Sequence, residues 1–173
     1  PDILELSCGG LAHANLDNVN EAVIARECLD GIDQNVSSRG TSIAYQFAKY
    51  YKRYYLKPGR RILLVAGTLA STSILSLGYN PTLTIPDSAL GTYTAKGNWS
   101  LLAGNQPNLY TDLIRRMQVA LALDPLNNPR PVFSGTGTPP TTAPTPNTNN
   151  SVVAFLWHQG ESDGPVIQSG TSI

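Results

Sequence analysis

Residues 43–67, IAYQFAKYYKRYYLKPGRRILLVAG, contain a predicted helix, a helix stop and a predicted strand. Four positions in the first half of this stretch recur at helical spacing: Ile43, Phe47, Tyr50 or Tyr51, and Tyr54. The sequence Lys57-Pro58-Gly59 then ends the helix, because proline and glycine are poor helix formers. The run RILLVAG at residues 61–67 is continuously apolar after its arginine, which predicts a buried strand.

The N-terminal part of the chain adds a second strand to this unit. The apolar run at residues 3–6 predicts a buried strand that leaves through a glycine-rich loop at residues 7–10. Residues 14–40 are predicted to be loop, with one short apolar stretch at residues 22–25. The first half of the chain is therefore predicted to form strand, helix and strand in that order.

The second half of the chain contains one strong helix signal and one strong strand signal. Residues 76–108 carry turn signals and are predicted to be irregular, whereas residues 108–123 predict an amphipathic helix. The apolar stripe of that helix is Leu109, Leu113, Ile114, Met117, Ala120 and Leu121, and its polar stripe is Asp112, Arg115, Arg116 and Gln118. Residues 125–150 are rich in Pro, Thr and Asn and predict a surface insert, with little regular structure over residues 134–150. Residues 151–157, SVVAFLW, predict a buried strand parallel to residues 61–67.

Strands separated by helices predict a single domain over residues 1–173, an α/β fold with a parallel sheet and helices on its faces. Ligands in such folds bind outside the carboxyl ends of the strands. Residues 67–73 and 158–163 each follow a predicted strand, and residues 7–10 are expected nearby. This edge of the sheet is therefore the predicted functional edge.

The composition limits the classes of partner. The chain has 173 residues, with 12 Lys and Arg against 12 Asp and Glu, so its formal net charge is zero. Nucleic acids and anionic membranes select a basic excess, and neither is predicted as a partner. No apolar run approaches the roughly 20 residues of a membrane-spanning helix, and no signal peptide is visible. Charged residues make up only 14%, and such a neutral, polar surface predicts an extracellular or virion-associated location.

The two cysteines, Cys8 and Cys28, lack the CxxC spacing of a redox motif and are too few for a zinc site. They either pair in an oxidising compartment or pack separately as small core residues, and the sequence leaves both arrangements open. No metal or other cofactor is predicted.

The densest polar cluster follows the last predicted strand and comprises His158, Gln159, Gly160, Glu161, Ser162 and Asp163. General acid–base and oxyanion chemistry need convergent polar groups of this kind on a rigid base. The alternative for Ser162 and Asp163 is that they cap a following helix. The cluster as a whole predicts a catalytic site.

Residues 155–163, FLWHQGESD, resemble the WHQGESD block of the sialate O-acetylesterase and acetylxylan esterase group, within the SGNH (GDSL-like) hydrolase superfamily. Shorter matches occur in the same order along the chain. Residues 109–116 are similar to the LY..LI.R helix of the family, and residues 71–74 resemble its GGTSI loop. Residues 24–30 are similar to its early IPA..PLD loop.

The resemblance implies a flavodoxin-like three-layer α/β/α sandwich and a hydrolase that removes acetyl groups from a carbohydrate or glycoconjugate. Family members use a serine of a GQS motif as the nucleophile and a histidine of a late D-x-x-H motif as the base. The tetrahedral oxyanion is held by backbone N–H groups and a side-chain amide. The resemblance maps the amide to Gln159 and the loop donors to Ala70, Ser71 and Thr72. It makes His158 and Glu161 further catalytic candidates, with Glu161 ordering the site, contacting substrate or orienting the base.

Two departures from the family pattern bear on activity. The 173 residues contain neither a GQS or GDS motif nor a D-x-x-H motif, so the chain is expected to be the central portion of a catalytic domain whose nucleophile lies outside it. Ala70 and Ser71 stand where the family has two glycines, and they serve as donors only where the backbone needs no positive φ. Both departures support an alternative, a non-catalytic structural or glycan-binding protein of a virion or extracellular assembly that reuses the fold.

Two further patterns have competing interpretations. The tyrosines of residues 45–55 either form a carbohydrate platform or belong to a core stripe with an amphipathic rim, and their helical spacing favours the core stripe. Asn98-Trp99-Ser100 has the form of an N-glycosylation site, which would be used if the chain is secreted.

Overall fold

A computed structural model describes residues 2–6, 22–25, 43–67, 74, 82–87, 91–100, 107–124 and 142–157. Within these residues lie two helices, α1 (Ile43–Tyr54) and α2 (Leu109–Ala122). The strands of the same residues are β1 (Ile3–Leu6), β2 (Ala22–Ile24), β3 (Ile62–Leu64), β4 (Thr82–Asp87) and β5 (Gly91–Lys96). The described part of the chain is therefore mixed α/β, as the sequence predicts.

The first sheet has the strand order β2-β1-β3. β1 and β3 run parallel, with Leu4 opposite Leu63, and α1 lies between them in the chain and contacts β3. This confirms the predicted strand, helix and strand. β2 runs antiparallel to β1, with Glu5 opposite Val23, so the sheet is mixed rather than purely parallel. The loop prediction is wrong at residues 22–24, because β1 has an edge with which this short apolar stretch pairs.

α1 has the bounds that the sequence predicts, but it buries fewer aromatic side chains. Gly59 has φ 76°, in the left-handed region that favours glycine, and it turns the chain from α1 toward β3. Ala48 is fully buried, whereas Tyr50, Tyr54 and Tyr55 are exposed. The core-stripe prediction is therefore wrong for Tyr54, because the buried face of the helix is centred on the small side chain of Ala48. The exposure of Tyr50 and Tyr55 agrees with the amphipathic rim.

α2 begins and ends within one residue of the predicted bounds, and its start is fixed by a capping box. The Asn108 side-chain oxygen accepts a hydrogen bond from the Thr111 N–H at 3.1 Å, and the Thr111 hydroxyl accepts one from the Asn108 N–H at 2.8 Å. These bonds satisfy backbone N–H groups that a helix start otherwise leaves without partners. Such a cap is worth about 1 kcal/mol.

Two clusters of buried apolar side chains pack around α2 in the described part of the chain. The Trp99 cluster comprises Ala95, Trp99, Leu109 and Leu113, and the Leu6 cluster comprises Leu6, Val119 and Leu123. Val65 packs against both clusters. α2 therefore covers the sheet face that carries Leu6 and Val65, and its first turns contact the end of β5.

Three of the four residues in the polar stripe of α2 are buried, and the fourth, Gln118, is half-buried. Asp112, Arg115 and Arg116 all have less than a tenth of their surface exposed. The prediction assumed that one face of α2 meets solvent. Polar side chains are instead enclosed where α2 contacts other parts of the chain, as the Arg116 bond to the β1 backbone shows.

β4 and β5 form an antiparallel pair, with Thr82 opposite Lys96 and Asp87 opposite Gly91. The prediction that residues 76–108 are irregular is wrong for these strands. Threonine alternates in both of them and has a high strand propensity. The turn signals at Pro86-Asp87 and Gly97-Asn98 lie at strand ends, so they mark the limits of a hairpin.

Residues 151–157 form no strand, and the predicted buried strand parallel to residues 61–67 is wrong. The large apolar side chains of this segment are between 45% and 62% exposed: Val152, Val153, Phe155, Leu156 and Trp157. An apolar run of this length becomes a buried strand only where neighbouring strands supply hydrogen bonds and both faces are covered. The local sequence contains no information about those neighbours.

Residues 142–150 lie on the surface and form neither helix nor strand, as predicted for the insert, but they also cap α2. The Asn150 side-chain amide donates to the carbonyl oxygens of Leu121 at 3.0 Å and Leu123 at 2.8 Å. The Asn147 N–H donates to the Leu121 oxygen at 2.9 Å. The segment thus satisfies carbonyl groups at the end of α2 that lack helical partners. No helix in the described part of the chain is long and apolar enough to cross a membrane.

Candidate active-site edge

The predicted site residues lie outside the described residues. They are His158, Gln159, Gly160, Glu161, Ser162 and Asp163 of the polar cluster, and Ala70, Ser71 and Thr72 of the loop. Cys8 and Cys28 also lie outside them. The structure does describe three residues from which the chain leads toward the predicted site: Leu6, Gly67 and Trp157. We call these three residues the exits.

The first exit is fixed by a buried arginine. The Arg116 Nη2 atom donates a hydrogen bond of 2.7 Å to the backbone oxygen of Leu6, the last residue of β1. Both residues are buried. Hydrogen bonds to a charged donor are stronger than neutral ones, especially away from water. α2 therefore holds the carboxyl end of β1 in place. Arg116 is also the arginine of the LY..LI.R resemblance. The sequence interpretation missed its role because it assigned Arg116 only to the polar stripe of the helix.

The second exit, Gly67, lies where β3 leads toward the candidate oxyanion loop. A Cβ atom added to Gly67 would lie 2.9 Å from the Leu113 Cδ1 atom of α2. That is closer than real Cβ contacts, so a larger residue would force Leu113 to move. Glycine at this position lets α2 approach the end of the strand closely.

The third exit, Trp157, directly precedes His158 and contacts the core despite its exposure. Its indole meets the buried indole of Trp99 edge to face, with ring centroids 5.1 Å apart and an interplanar angle of 84°. The Phe155 ring stacks on Trp157 at 5.8 Å. Edge-to-face aromatic pairs are worth about 1 kcal/mol beyond their buried area. Trp157 is thus attached to the Trp99 cluster.

Two of the exits therefore share one anchoring cluster. Leu113 contacts the position of Gly67, Trp99 contacts Trp157, and both belong to the Trp99 cluster. The chain continues from Gly67 toward Ala70 and from Trp157 directly into His158. The two segments that carry the predicted oxyanion donors consequently start from the same apolar cluster.

The N-terminal end of α2 is joined to the end of β5 by a buried pair of asparagines. The Asn98 side-chain oxygen accepts hydrogen bonds of 3.1 Å from the Asn108 amide and from the Ser100 N–H. The Leu109 N–H donates to the Asn98 backbone oxygen at 3.0 Å. Asn98 has no exposed surface, so use of Asn98-Trp99-Ser100 as an N-glycosylation site conflicts with the fold, because a glycan needs an exposed amide. The asparagine is a structural residue beside Trp99.

Ionisable side chains are buried on β1 and α2: Glu5, Asp112, Arg115 and Arg116. Two of them are carboxylates and two are guanidinium groups, so their formal charges balance. Buried charges of one sign would be costly without opposite charges or hydrogen bonds. The sequence contains no direct signal of this burial on α2, since Asp112, Arg115 and Arg116 follow the ordinary spacing of a polar helix face.

A surface ion pair lies at the opposite, amino end of β1. The Lys52 Nζ atom of α1 lies 2.9 Å from the Asp2 Oδ2 atom. The hydrogen bond from Lys52, together with its charge, lowers the pKa of Asp2. Both side chains are about half exposed, so the pair contributes little to stability. It shows, however, that the last turn of α1 lies at the amino end of β1, about 13 Å along the strand from the Leu6 exit.

Within the described residues, no group of three or more His, Cys, Asp or Glu side chains is arranged to hold a metal ion. Comparison of the chain with protein-family models, curated proteins and solved structures finds no match.

Proposed function

We propose that the chain is the central portion of an SGNH-type carbohydrate O-acetylesterase domain, with a three-layer α/β/α sandwich and a serine nucleophile supplied from outside these 173 residues. The observation that carries the proposal is the attachment of Trp157 to the Trp99 cluster. The HQGESD sequence that follows Trp157 thereby starts from the cluster that also contacts the Gly67 exit.

The proposed reaction is acyl transfer to serine followed by hydrolysis. The serine oxygen attacks the acetyl carbonyl carbon, a base takes the serine proton, and the carbonyl oxygen becomes an oxyanion. The sugar alkoxide leaves with a proton, and water then hydrolyses the acetyl-serine. The chain's own contribution is the stabilisation of the oxyanion, by the Gln159 amide and by a backbone N–H of the loop Ala70, Ser71 and Thr72. One such donor is worth about 3 kcal/mol of the activation barrier.

The described exits support this arrangement in two ways. Donors must converge on one oxygen about 3 Å from each, which requires their two segments to start close together and to be held rigidly. The Trp99 cluster contacts the chain at both Gly67 and Trp157, so the two donor segments leave from the same part of the core. Arg116 fixes the carboxyl end of the neighbouring parallel strand, and His158 and Glu161 complete the proposed polar site.

The test is esterase activity of the full-length protein toward 4-nitrophenyl acetate and acetylated sugars. Gln159→Ala should lower kcat by roughly 10²-fold with little change in KM, because the amide acts mainly in the transition state. Gln159→Glu, which keeps the size but loses the N–H donors, should be equally impaired. Gln46→Ala is a matched control, since Gln46 is an exposed glutamine of α1, and its kcat should equal that of the wild type.

Two outcomes would overturn the proposal. A Gln159→Ala variant that is less stable but turns over normally would show that Gln159 only supports the local backbone. A folded wild type with no activity on either type of ester would favour the alternative, a non-catalytic structural or glycan-binding protein of a virion or extracellular assembly.

A further inference from the structure

A cluster of exposed aromatic rings lies on the last turns of α1 and just beyond it. Tyr50, Tyr54 and Tyr55 are between 56% and 62% exposed. The Tyr50 ring centroid lies 4.6 Å from that of Tyr54 and 6.2 Å from that of Tyr55. We call these residues, together with Lys49 and Arg53, the tyrosine patch. Contiguous exposed rings of this kind mark binding surfaces more often than scattered ones do.

Positive charge accompanies the rings of the tyrosine patch. α1 contains Lys49, Lys52 and Arg53 and no acidic residue. The Arg53 guanidinium carbon lies 5.2 Å from the centroid of the Tyr54 ring, and the Lys49 ammonium lies 4.5 Å from that of Tyr45. Lys52 is engaged by Asp2. Arg53 is thus held beside a ring of the patch, where an anionic ligand that stacks on the rings would meet it. Lys49, which precedes Tyr50, adds a second exposed cation on the same helix.

The tyrosine patch lies away from the candidate active-site edge. The ion pair between Lys52 and Asp2 places the last turn of α1 at the amino end of β1, whereas the Leu6 exit is at the carboxyl end. A ligand on the tyrosine patch is therefore bound at a different place from the proposed ester chemistry.

We propose that the tyrosine patch binds an anionic polysaccharide whose sugars carry carboxylates. Tyrosine rings offer apolar faces for the C–H faces of pyranose rings, and their hydroxyl groups offer hydrogen bonds at the rim. Arg53 and Lys49 supply the charge that pairs with carboxylates. A nucleic acid carries a denser charge and selects proteins with a basic excess, whereas this chain has a net charge of zero. The proposal does not depend on the esterase proposal.

The experiment is affinity gel electrophoresis of the full-length protein with polygalacturonate, a polymer of carboxylate-bearing sugars, and with neutral dextran. Polygalacturonate should retard the wild type and dextran should not, and the retardation should weaken as the salt concentration rises. The double variant Tyr50→Ala with Tyr54→Ala should bind about tenfold more weakly, because two stacking faces are lost. Arg53→Gln removes an exposed positive charge and keeps all the rings, and this variant should bind several-fold more weakly.

Three variants serve as controls. Tyr54→Phe keeps the ring and should bind within about twofold of the wild type. Ile43→Ala removes an exposed apolar side chain from the first turn of the same helix and should bind normally. Gln159→Ala should also bind normally, which separates failure of this proposal from failure of the esterase proposal.

Several results would overturn the proposal. They are absence of retardation of the wild type, equal retardation by dextran, and unchanged binding by both Arg53→Gln and the tyrosine double variant. Stronger retention by single-stranded DNA than by polygalacturonate, lost in Arg53→Gln, would assign the tyrosine patch to nucleic acid instead.

Discussion

The helix α2 and the segment at residues 151–157 both place side chains in the environment opposite to the one that their polarity predicts. α2 buries Asp112, Arg115 and Arg116, which the sequence assigns to a solvated face. Residues 151–157 expose apolar side chains, which the sequence assigns to the core, including Val153 and Phe155. Polarity alone therefore gives the wrong burial in both regions.

The difference shows that available partners decide burial in this molecule. Arg116 is buried because the Leu6 carbonyl group at the end of β1 accepts its hydrogen bond. Trp157 is only partly covered because its main aromatic contacts are Trp99 and Phe155. A charged residue with a buried acceptor is tolerated inside, and an apolar residue without enclosing neighbours stays outside.

The largest effect should follow the removal of the buried arginine. Arg116→Ala should lower the free energy of unfolding by about 3 kcal/mol, since it leaves the Leu6 carbonyl group without this donor and opens a cavity. Urea unfolding followed by circular dichroism measures this. Arg61→Ala is the matched control, because Arg61 is exposed, and its change should be below about 0.5 kcal/mol. Equal losses of unfolding free energy in the two variants would show that the buried arginine of α2 contributes no more to stability than an exposed one.

A valine-to-alanine substitution in each region compares directly how much buried and exposed apolar side chains contribute to stability. Val119→Ala removes buried methyl groups from the Leu6 cluster and should cost about 2 kcal/mol of unfolding free energy. Val153→Ala removes the same groups from an exposed side chain and should cost less than about 0.5 kcal/mol. Thermal and urea unfolding of the pair measure the difference. A large loss from Val153→Ala would mean that residues 151–157 are packed in solution.

The smallest loss of stability should come from a change in residues 142–150, the segment that precedes residues 151–157 and caps α2. Asn150→Ala removes the amide that donates to the Leu121 and Leu123 oxygens, and it should lower the free energy of unfolding by about 1 kcal/mol. Asn149→Ala is a matched control, because the Asn149 backbone, rather than its side chain, makes the hydrogen bonds seen for this residue. If both variants are equally stable, the insert is not a cap of α2.

Local signals predicted the parts of the fold that local chemistry determines. The bounds of α1 and α2 follow from apolar spacing, from the Pro58-Gly59 stop and from the Asn108 cap. The parallel pairing of β1 and β3 follows from the helix between them. The β4–β5 hairpin is not predicted, because the turn signals at its strand ends indicate loop when the sequence is considered alone.

The sequence alone predicts the motif of the candidate site but not the contacts that hold the residues leading to it. The order of Trp157 and the HQGESD sequence is visible in the chain, and so is the glycine at position 67. The contact of Trp157 with Trp99 joins residues far apart in sequence, and no local periodicity encodes it. The same holds for the hydrogen bond from Arg116 to Leu6, which gives this arginine a structural role at the predicted functional edge.

The indole contact also gives the molecule an optical reporter of its own. The chain has two tryptophans, and they are the two partners of the edge-to-face pair. Electronic transitions of indoles this close couple, so the near-ultraviolet circular dichroism of the unlabelled protein contains a signal from the pair. Detachment of Trp157 from Trp99 would remove that signal and change the tryptophan emission. The position of the residue that leads into the polar cluster can therefore be followed spectroscopically in solution, with no added fluorophore and during ligand titration.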